Sequence, residues 1–545
     1  MTDININDET ANAVLAQVET NMTDFVPPAM SAWRRRLIML SLCLTLFLSA
    51  LDITIISTAL PTIARELGVN GRQYAWISSG FTLSSTASTP VWAKASDIFG
   101  RRPAVIASAA CFMAGSLVCA LAVDCNMLIG GRVVQGLGCG GSVVMVTIII
   151  GDIFSLKDRP KYYGFTGIVW GISSAVGPVL GGIFVQTIGW RWCFYINLPF
   201  DGLAIMVLLF ALKVDIEREP ILQGLRTLDW TGFALIIGGT ISFLYGLELG
   251  ATNTLPWSAP VVICTMAIGG LLLAAFTFWE ARFASKPIIP GRIFSRSTNM
   301  AAFVLACLHS FVFISYDFFL PLYSQVILGL SPLLSGVTLF ALIVPLSSMP
   351  MVGALVIRKT GNYVYICYLG AALMALGNGL FLSFKTDREW AKIISFQVIT
   401  GIGAGLLFQS PMIALQSFLH QSDLAAAMSA YSFLRNLCTS ISVVIGSVLI
   451  QHSLPGGSSF TSLHASHDTK TGGEVEESVS KQQYLTGLRN MWTFYTAICG
   501  LMLLSAFFIK QKRPDKKTEE ATDKPNVPIH HDREDEKVTN EKEIA

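Results

Sequence analysis

Long apolar runs alternate along this chain with short connectors rich in Arg, Lys, Gly and Pro. Fourteen runs cover residues 37–58, 74–95, 103–123, 127–150, 162–188, 193–212, 230–249, 258–280, 300–322, 332–356, 362–384, 391–415, 425–451 and 492–510. A membrane-spanning helix needs about 20 mostly apolar residues. The pattern therefore predicts fourteen transmembrane helices and an all-α integral membrane protein. The second, fifth and twelfth runs are rich in Gly and Ser, which let helix backbones approach closely in lipid. Those three are expected to be packed, interior-facing helices.

Composition agrees with that reading. Of 545 residues, 52% are hydrophobic and only 14% charged, against about 25% charged in soluble domains. The net charge of +2 conceals a segregation of charge. With the N-terminus placed inside, the inner connectors hold 18 Lys and Arg and the outer ones 9. An excess of Lys and Arg marks the cytosolic side, so both termini are expected in the cytosol. The one N-x-S/T sequon, Asn21-Met22-Thr23, then falls in the cytosolic arm and is expected to stay unglycosylated. Residues 1–36 and 511–545 read as a disordered arm and tail, and 452–491 as the one long outer loop. No cleavable signal peptide is expected, because residues 1–30 lack a basic start and a short apolar core.

These features exclude several function classes. No segment between runs can bury an enzyme-sized core, and no GxxxxGK[ST] phosphate loop is present. Transport driven by ATP hydrolysis within this chain is thereby excluded. The spans show no nucleophile–base or metal constellation, so the chain is not expected to be an enzyme. The 11 cysteines lie mostly inside apolar runs with no C-x-x-C pair, which argues against a metal site or a disulfide framework.

The chemistry sits in a few charges placed inside spans. An ionised side chain in hydrocarbon costs at least roughly 2.5–3.5 kcal/mol and persists mainly where it faces a bundle interior and has a partner. Asp52 lies about 22 Å up the first run from the inner face, and Arg132 about 8 Å down the fourth from the outer face. In a core about 30 Å thick those depths coincide. A buried acid–base pair between membrane helices is expected hardware for a proton-coupled transporter. Asp317 lies about 25 Å up the ninth run and Arg435 about 16 Å into the thirteenth. Asp317 suits either substrate or proton contact or a headgroup-level acid. Arg435 is too deep to snorkel, so it is expected to have an interior partner and a role in coupling or helix packing. Both are candidates for substrate contact or coupling. A lone His309 in its span is more often a packed histidine.

Several strings carry a family resemblance. After the second run comes Asp97-Ile98-Phe99-Gly100-Arg101-Arg102, and the fourth run holds Arg132-Val133-Val134-Gln135-Gly136. The fifth holds Gly171 and then Gly177-Pro178-Val179-Leu180-Gly181-Gly182. Leu51-Asp52-Ile53-Thr54-Ile55-Ile56 and Trp190-Arg191-Trp192-Cys193-Phe194-Tyr195-Ile196-Asn197-Leu198-Pro199 complete the set. Together they resemble the major facilitator superfamily, and within it the fourteen-helix drug:proton antiporter branch of fungal toxin and multidrug efflux pumps. The inner loop departs from the usual pattern at Ala93 and Ala95. The second half matches more loosely, through Gly405 to Pro411 with Gln409, Arg435-Asn436, and a degenerate inner-loop copy at Arg358-Lys359-Thr360-Gly361.

The resemblance implies two six-helix bundles, residues 37–212 and 300–510, related by a pseudo-two-fold axis and joined by two linking helices within 213–299. It implies that Asp97, Gly100, Arg101 and Arg102 latch the two halves. It gives proton coupling to Asp52, Arg132 and Gln135, and an antiporter motif to Gly171, Gly177, Pro178, Gly181 and Gly182. Asp317, Arg435, Gln409 and Tyr316 become candidate contacts for substrate or coupling. The expected activity is proton-coupled export of a small amphipathic compound such as a toxin, secondary metabolite or drug. The expected setting is the plasma membrane, with the vacuolar membrane as the alternative. The partners are a small-molecule substrate, protons and lipid, with no nucleic acid and no cofactor beyond the proton gradient, and the expected state is a monomer. Two further readings keep the fold: a vacuolar basic amino-acid or siderophore transporter, and a non-transporting nutrient sensor. Few buried acids speak against the amino-acid cargo, and the 35-residue tail is short for a signalling domain.

Overall fold

A computed structural model describes residues 30–69, 71–212, 228–251, 255–284, 286–453 and 474–512. The Asn21-Met22-Thr23 sequon, most of the N-terminal arm, Lys213, Arg218, Arg226, residues 454–473 of the outer loop and the tail beyond Lys512 lie outside the described residues. Helices are the regular structure of the described residues, with no strand among them. The first half contains α1 (Ala32–Glu66), α2 (Gly71–Phe99), α3 (Arg101–Ala120), α4 (Cys125–Ile153), α5 (Arg159–Thr187) and α6 (Asn197–Ala211), the last preceded by the single turn Trp192–Tyr195. Two linking helices follow, α7 (Trp230–Ala251) and α8 (Pro260–Arg282). The second half contains α9 (Ser297–Leu322), α10 (Pro332–Thr360), α11 (Val364–Leu380), α12 (Trp390–Leu407), α13 (Leu424–Gln451) and α14 (Glu474–Ala506). A short helix, Ser410–Gln416, continues α12 after a break at Phe408-Gln409, where Pro411 cannot donate to the helical ladder.

All fourteen apolar runs fall on helices. Among the described residues, twelve spans are long and apolar enough to cross a membrane. The other two runs lie on α2 and α14, whose sequences carry more polar residues. α14 begins at Glu474, so residues 474–491 belong to a helix and not to the outer loop where the hydropathy pattern puts them. Its first turns are rich in Glu, Gln and Lys. These are good helix formers that hydropathy does not register.

The order of packing repeats. In the first half α1 packs on α5 and α6, α4 on α2 and α3, and α3 on α6. In the second half α9 packs on α13 and α14, α12 on α10 and α11, and α11 on α14. Adding eight to each helix number of the first half gives the second, as expected of an internal repeat. The halves meet at two seams related in the same way, α5 on α10 and α2 on α13. The linking helix α7 packs against both α2 and α13.

Small residues set the close approaches. A Cβ added to Gly136 would collide with the Phe81 carbonyl on α2, and one at Gly138 with the Phe112 backbone on α3. α4 is thereby drawn between two neighbours with its polar residues inside the bundle. Local signals fix the helix ends. Asp124 caps α4 by accepting from the Met127 amide at 2.7 Å. Gly361, at φ +70°, ends α10 in a left-handed turn that favours glycine.

Candidate functional site

The centre of the first half is polar and sealed. Asp52 on α1 and Arg132 on α4 are each 1% exposed. Arg132 Nη1 donates to Asp52 Oδ2 and, at 2.7 Å, to Gln135 Oε1. Arg132 Nε donates to the Ile77 carbonyl at 3.0 Å. The guanidinium lies 4.2 Å from the centre of the Phe81 ring, close enough for a cation–π contact. Gln135 Nε2 donates to Asp52 Oδ1 at 2.7 Å and to Ser116 Oγ at 2.8 Å. Asn197 Nδ2, on α6, reaches Ser116 Oγ at 3.2 Å and Asp52 Oδ1 at 3.4 Å. Charges this deeply buried persist when paired and hydrogen-bonded. Here five side chains from four helices share the task.

α5 leans on this cluster from one side and on the second half from the other. A Cβ on Gly177 would collide with Thr54 on α1, and one on Gly181 with Thr58 and the Ile55 backbone. Thr54 Oγ1 donates to the Ser173 carbonyl of α5 at 3.2 Å. Two residues past Asp52, α1 is therefore pressed directly against α5. Pro178 lies within the same stretch of α5. Gly171 lies against Ser347 of α10 with no room for a Cβ, whereas Gly182 has open space around its Cα. Beyond Gly171 the α5–α10 seam holds an apolar cleft lined by Ile168, Ile172, Ala175, Phe340, Ile343 and Val344.

The halves are tied at the end that carries the basic connectors. Gly100 turns the chain at φ +93°, a conformation that glycine adopts without strain. Arg101 then donates to Asp97 at 2.5 Å, Ser96 at 2.7 Å and Asp152 on α4 at 2.8 Å. Arg102 donates to the Leu209 carbonyl on α6. Asp152 also accepts from Gln421 of the second half at 3.1 Å, and Gln421 accepts from Arg159 at 3.1 Å. Arg358 pairs with Asp158 at 3.1 Å across the same seam. Deeper along it, Gln416 donates to Tyr163 at 2.8 Å and Gln409 to Thr166 at 3.0 Å.

In the second half the candidates separate. Arg435 Nε donates to Ser310 Oγ on α9 at 2.6 Å. Its guanidinium lies 5.1 Å from the Phe408 ring centre and 5.5 Å from that of Tyr431. Asp317 is partly exposed. Tyr316 is fully buried in the core against Phe381. Neighbours on a helix point about 100° apart, so Tyr316 faces the core while Asp317 faces the partly open side of α9. His309 is packed, with Nε2 on the Ala404 carbonyl at 3.0 Å and its ring stacked on Phe313.

The sequence profile described as Major Facilitator Superfamily matches residues 42–443. This chain belongs to the Major Facilitator Superfamily. It is 40% identical over 489 residues to the efflux pump dotC of Dothistroma septosporum, covering 87% of this chain and 84% of that one. To the efflux pump FUS6 of Gibberella fujikuroi it is 35% identical over 504 residues, covering 89% and 90%. Among solved structures it resembles the proton:xylose symporter XylE, with a TM-score of 0.58 at 13% identity over 86% of this chain and 94% of that one. The human organic anion transporter MFSD10 gives a TM-score of 0.58 at 15% identity over 89% and 100%. Both structural likenesses speak to the fold. The protein is thus a multi-pass membrane transporter of this superfamily and is not of an enzyme family.

Within that family frame, the structure adds residues that sequence reading passed over. Asn197 stands in the quoted Trp190–Pro199 string, but only its contact with Asp52 shows why an amide is placed there. Ser116 gives no signal beyond being polar in an apolar run. Asp152 and Gln421 sit at helix ends, where a polar residue is unremarkable. Asp201 lies one turn beyond Asn197 on α6, fully buried, with neither carboxylate oxygen hydrogen-bonded.

Proposed function

We propose that this transporter exports a small amphipathic organic compound in exchange for protons, by alternating access. The observation that carries the reading is the sealed cluster of Asp52, Arg132, Gln135, Ser116 and Asn197. It places one acid, held by one guanidinium, inside the first half, with no hydrogen bond or ion pair to the second among the described residues. A proton on Asp52 removes the charge that holds Arg132 and frees Gln135 from the same oxygen pair. α1 then loses its tie to α4. Because α1 presses on α5, and α5 on α10, that change reaches the seam between the halves. The protonated state favours the return to the inward-facing form, and substrate loading favours the outward turn. The ties at the basic end, from Arg358–Asp158 to Gln409–Thr166, break and re-form in each cycle. The efflux-pump names of the relatives support the export direction, as does the Gly177-Pro178 stretch of α5. The basic end is assigned to the cytosol and the protein to the plasma membrane.

The test uses sealed inside-out vesicles with an acid interior and a panel of labelled fungal metabolites, fungicides and basic amino acids. Uptake of amphipathic compounds that collapses with a protonophore is the expected result. Uptake confined to lysine, arginine or histidine would replace the assignment with a vacuolar amino-acid carrier.

A further inference from the structure

Each half holds one arginine deep in its span, and the two are treated differently. Arg132 faces the Asp52 carboxylate, the Gln135 amide oxygen and a backbone carbonyl. Arg435 lies about 16 Å along α13 from Leu424, and among the described residues no carboxylate stands within ion-pair distance of it. The nearest acid along α9, Asp317, is seven residues beyond Ser310, about 10 Å along the axis. Asp423, one residue before α13, is already paired with Arg292 at 2.5 Å. A guanidinium offers five N–H donors; the Ser310 hydroxyl takes one and the Tyr431 hydroxyl engages another, which leaves three. The residue is not sealed in the core, as Arg132 is, but partly exposed.

What surrounds it is aromatic. The faces of Phe408 and Tyr431 flank the guanidinium, and Phe313 meets Phe408 edge-on at 6.1 Å. His309, stacked on Phe313, uses Nε2 on a backbone carbonyl and offers no anion. An uncompensated cation this deep in a membrane protein marks a ligand position when it faces open space. Arginine is also the side chain suited to a planar anion through its fork of N–H groups.

We infer that Arg435 is the substrate anchor and that the exported compound is an organic monoanion, a carboxylate or ionised phenol on an aromatic body. The anion takes the free edge of the guanidinium, and the ring system of the substrate extends along Phe408, Phe313 and Tyr431. This inference rests on the export reading for its biological sense but is tested by binding alone, so the two can fail separately.

The experiment measures equilibrium binding to the purified full-length chain in lipid nanodiscs. The probes are matched triads of aromatic acids, their neutral amides and the corresponding aminomethyl cations, with 1-naphthoate, 1-naphthamide and 1-naphthylmethylammonium as one triad. The expected result is that acids bind at least tenfold more tightly than their amides. Arg435→Gln should remove that preference, so that acids bind no more tightly than their amides. Arg435→Lys retains the charge and should keep part of the preference, which guards against a fold defect in the first variant. Asp317→Asn removes the one acid within α9 and should tighten acid binding. If no acid binds more tightly than its amide, if the cations bind best, or if a folded Arg435→Gln keeps the acid preference, the inference is overturned. A protein that binds acids through Arg435 yet shows no proton-driven uptake would sink the export reading and leave this one standing.

Discussion

Neutralising the two ends of the Asp52–Arg132 pair, singly and together, separates what the pair does for stability from what it does for transport. Asp52→Asn keeps the shape of the side chain. It leaves the Arg132 guanidinium with Gln135, the Ile77 carbonyl and the Phe81 face. Arg132→Gln leaves Asp52 with two amide donors, from Gln135 and Asn197. Removing one member of a buried pair costs about 3–5 kcal/mol, because the survivor is left uncompensated. The remaining polar contacts place both single variants near the lower figure, about 3 kcal/mol each. Independent effects would then sum to about 6 kcal/mol in the double variant. The double variant leaves no unpaired charge, so its expected loss is only about 1 kcal/mol. The assay is chemical unfolding of the purified protein in mixed micelles, with pH-driven uptake into vesicles measured in parallel. The double variant should be nearly as stable as the parent and transport nothing in response to a pH gradient. A double variant that loses the full sum refutes the compensation argument. One that keeps normal pH-driven uptake refutes the coupling role of Asp52.

Other perturbations test other joints. Gly177→Val places a side chain where Thr54 already stands and should destabilise by about 1–3 kcal/mol through overpacking; Gly182→Val, with nothing within 4 Å of its Cβ position, should leave the unfolding midpoint in place. Asp158→Ala removes an ion pair whose side chains are 44% and 43% exposed, worth about 1 kcal/mol or less. Protection of a cysteine introduced at Thr166 from a basic-end reagent should therefore fall less than about tenfold. Asp152→Asn weakens a pair that is 9% and 7% exposed and should lower that protection far more; equal effects would refute the ranking. Asp201→Asn replaces a buried acid that has no hydrogen-bond partner and should raise the unfolding temperature, whereas a marked fall would show that the acid has a partner in another conformation of the cycle.

Hydropathy reads the spans well because lipid tolerates few alternatives to an apolar helix. The same logic makes Asp52 and Arg132 conspicuous, since a charge in an apolar run demands a reason. It fails where a residue carries no such cost. The start of α14 at Glu474 is polar helix beyond any apolar run. Asn197 and Ser116 are neutral, so their burial cannot be told from that of any other small polar residue until Asp52 is seen beside them. Asp201 is the converse, a charge as visible in the apolar run 193–212 as Asp52 is in its own. Tyr316 and Asp317 are adjacent in sequence, and only the rotation of α9 decides which of them meets open space.

The two seams between the halves are equivalent by the internal repeat, but among the described residues the linking helices pack against only one of them. α7 lies along α2 and α13, with Leu244 and Leu247 against Val444 and with Glu248 bound to Ser79 at 2.5 Å. Among the described residues the α5–α10 seam carries no such cover, and its cleft presents Ile172, Phe340 and Val344 at the surface. The lipid around the transporter therefore meets two added helices on one flank and a bare apolar cleft on the other. The extra pair of helices breaks the symmetry of the fold and gives the molecule a front and a back within the plane of the membrane.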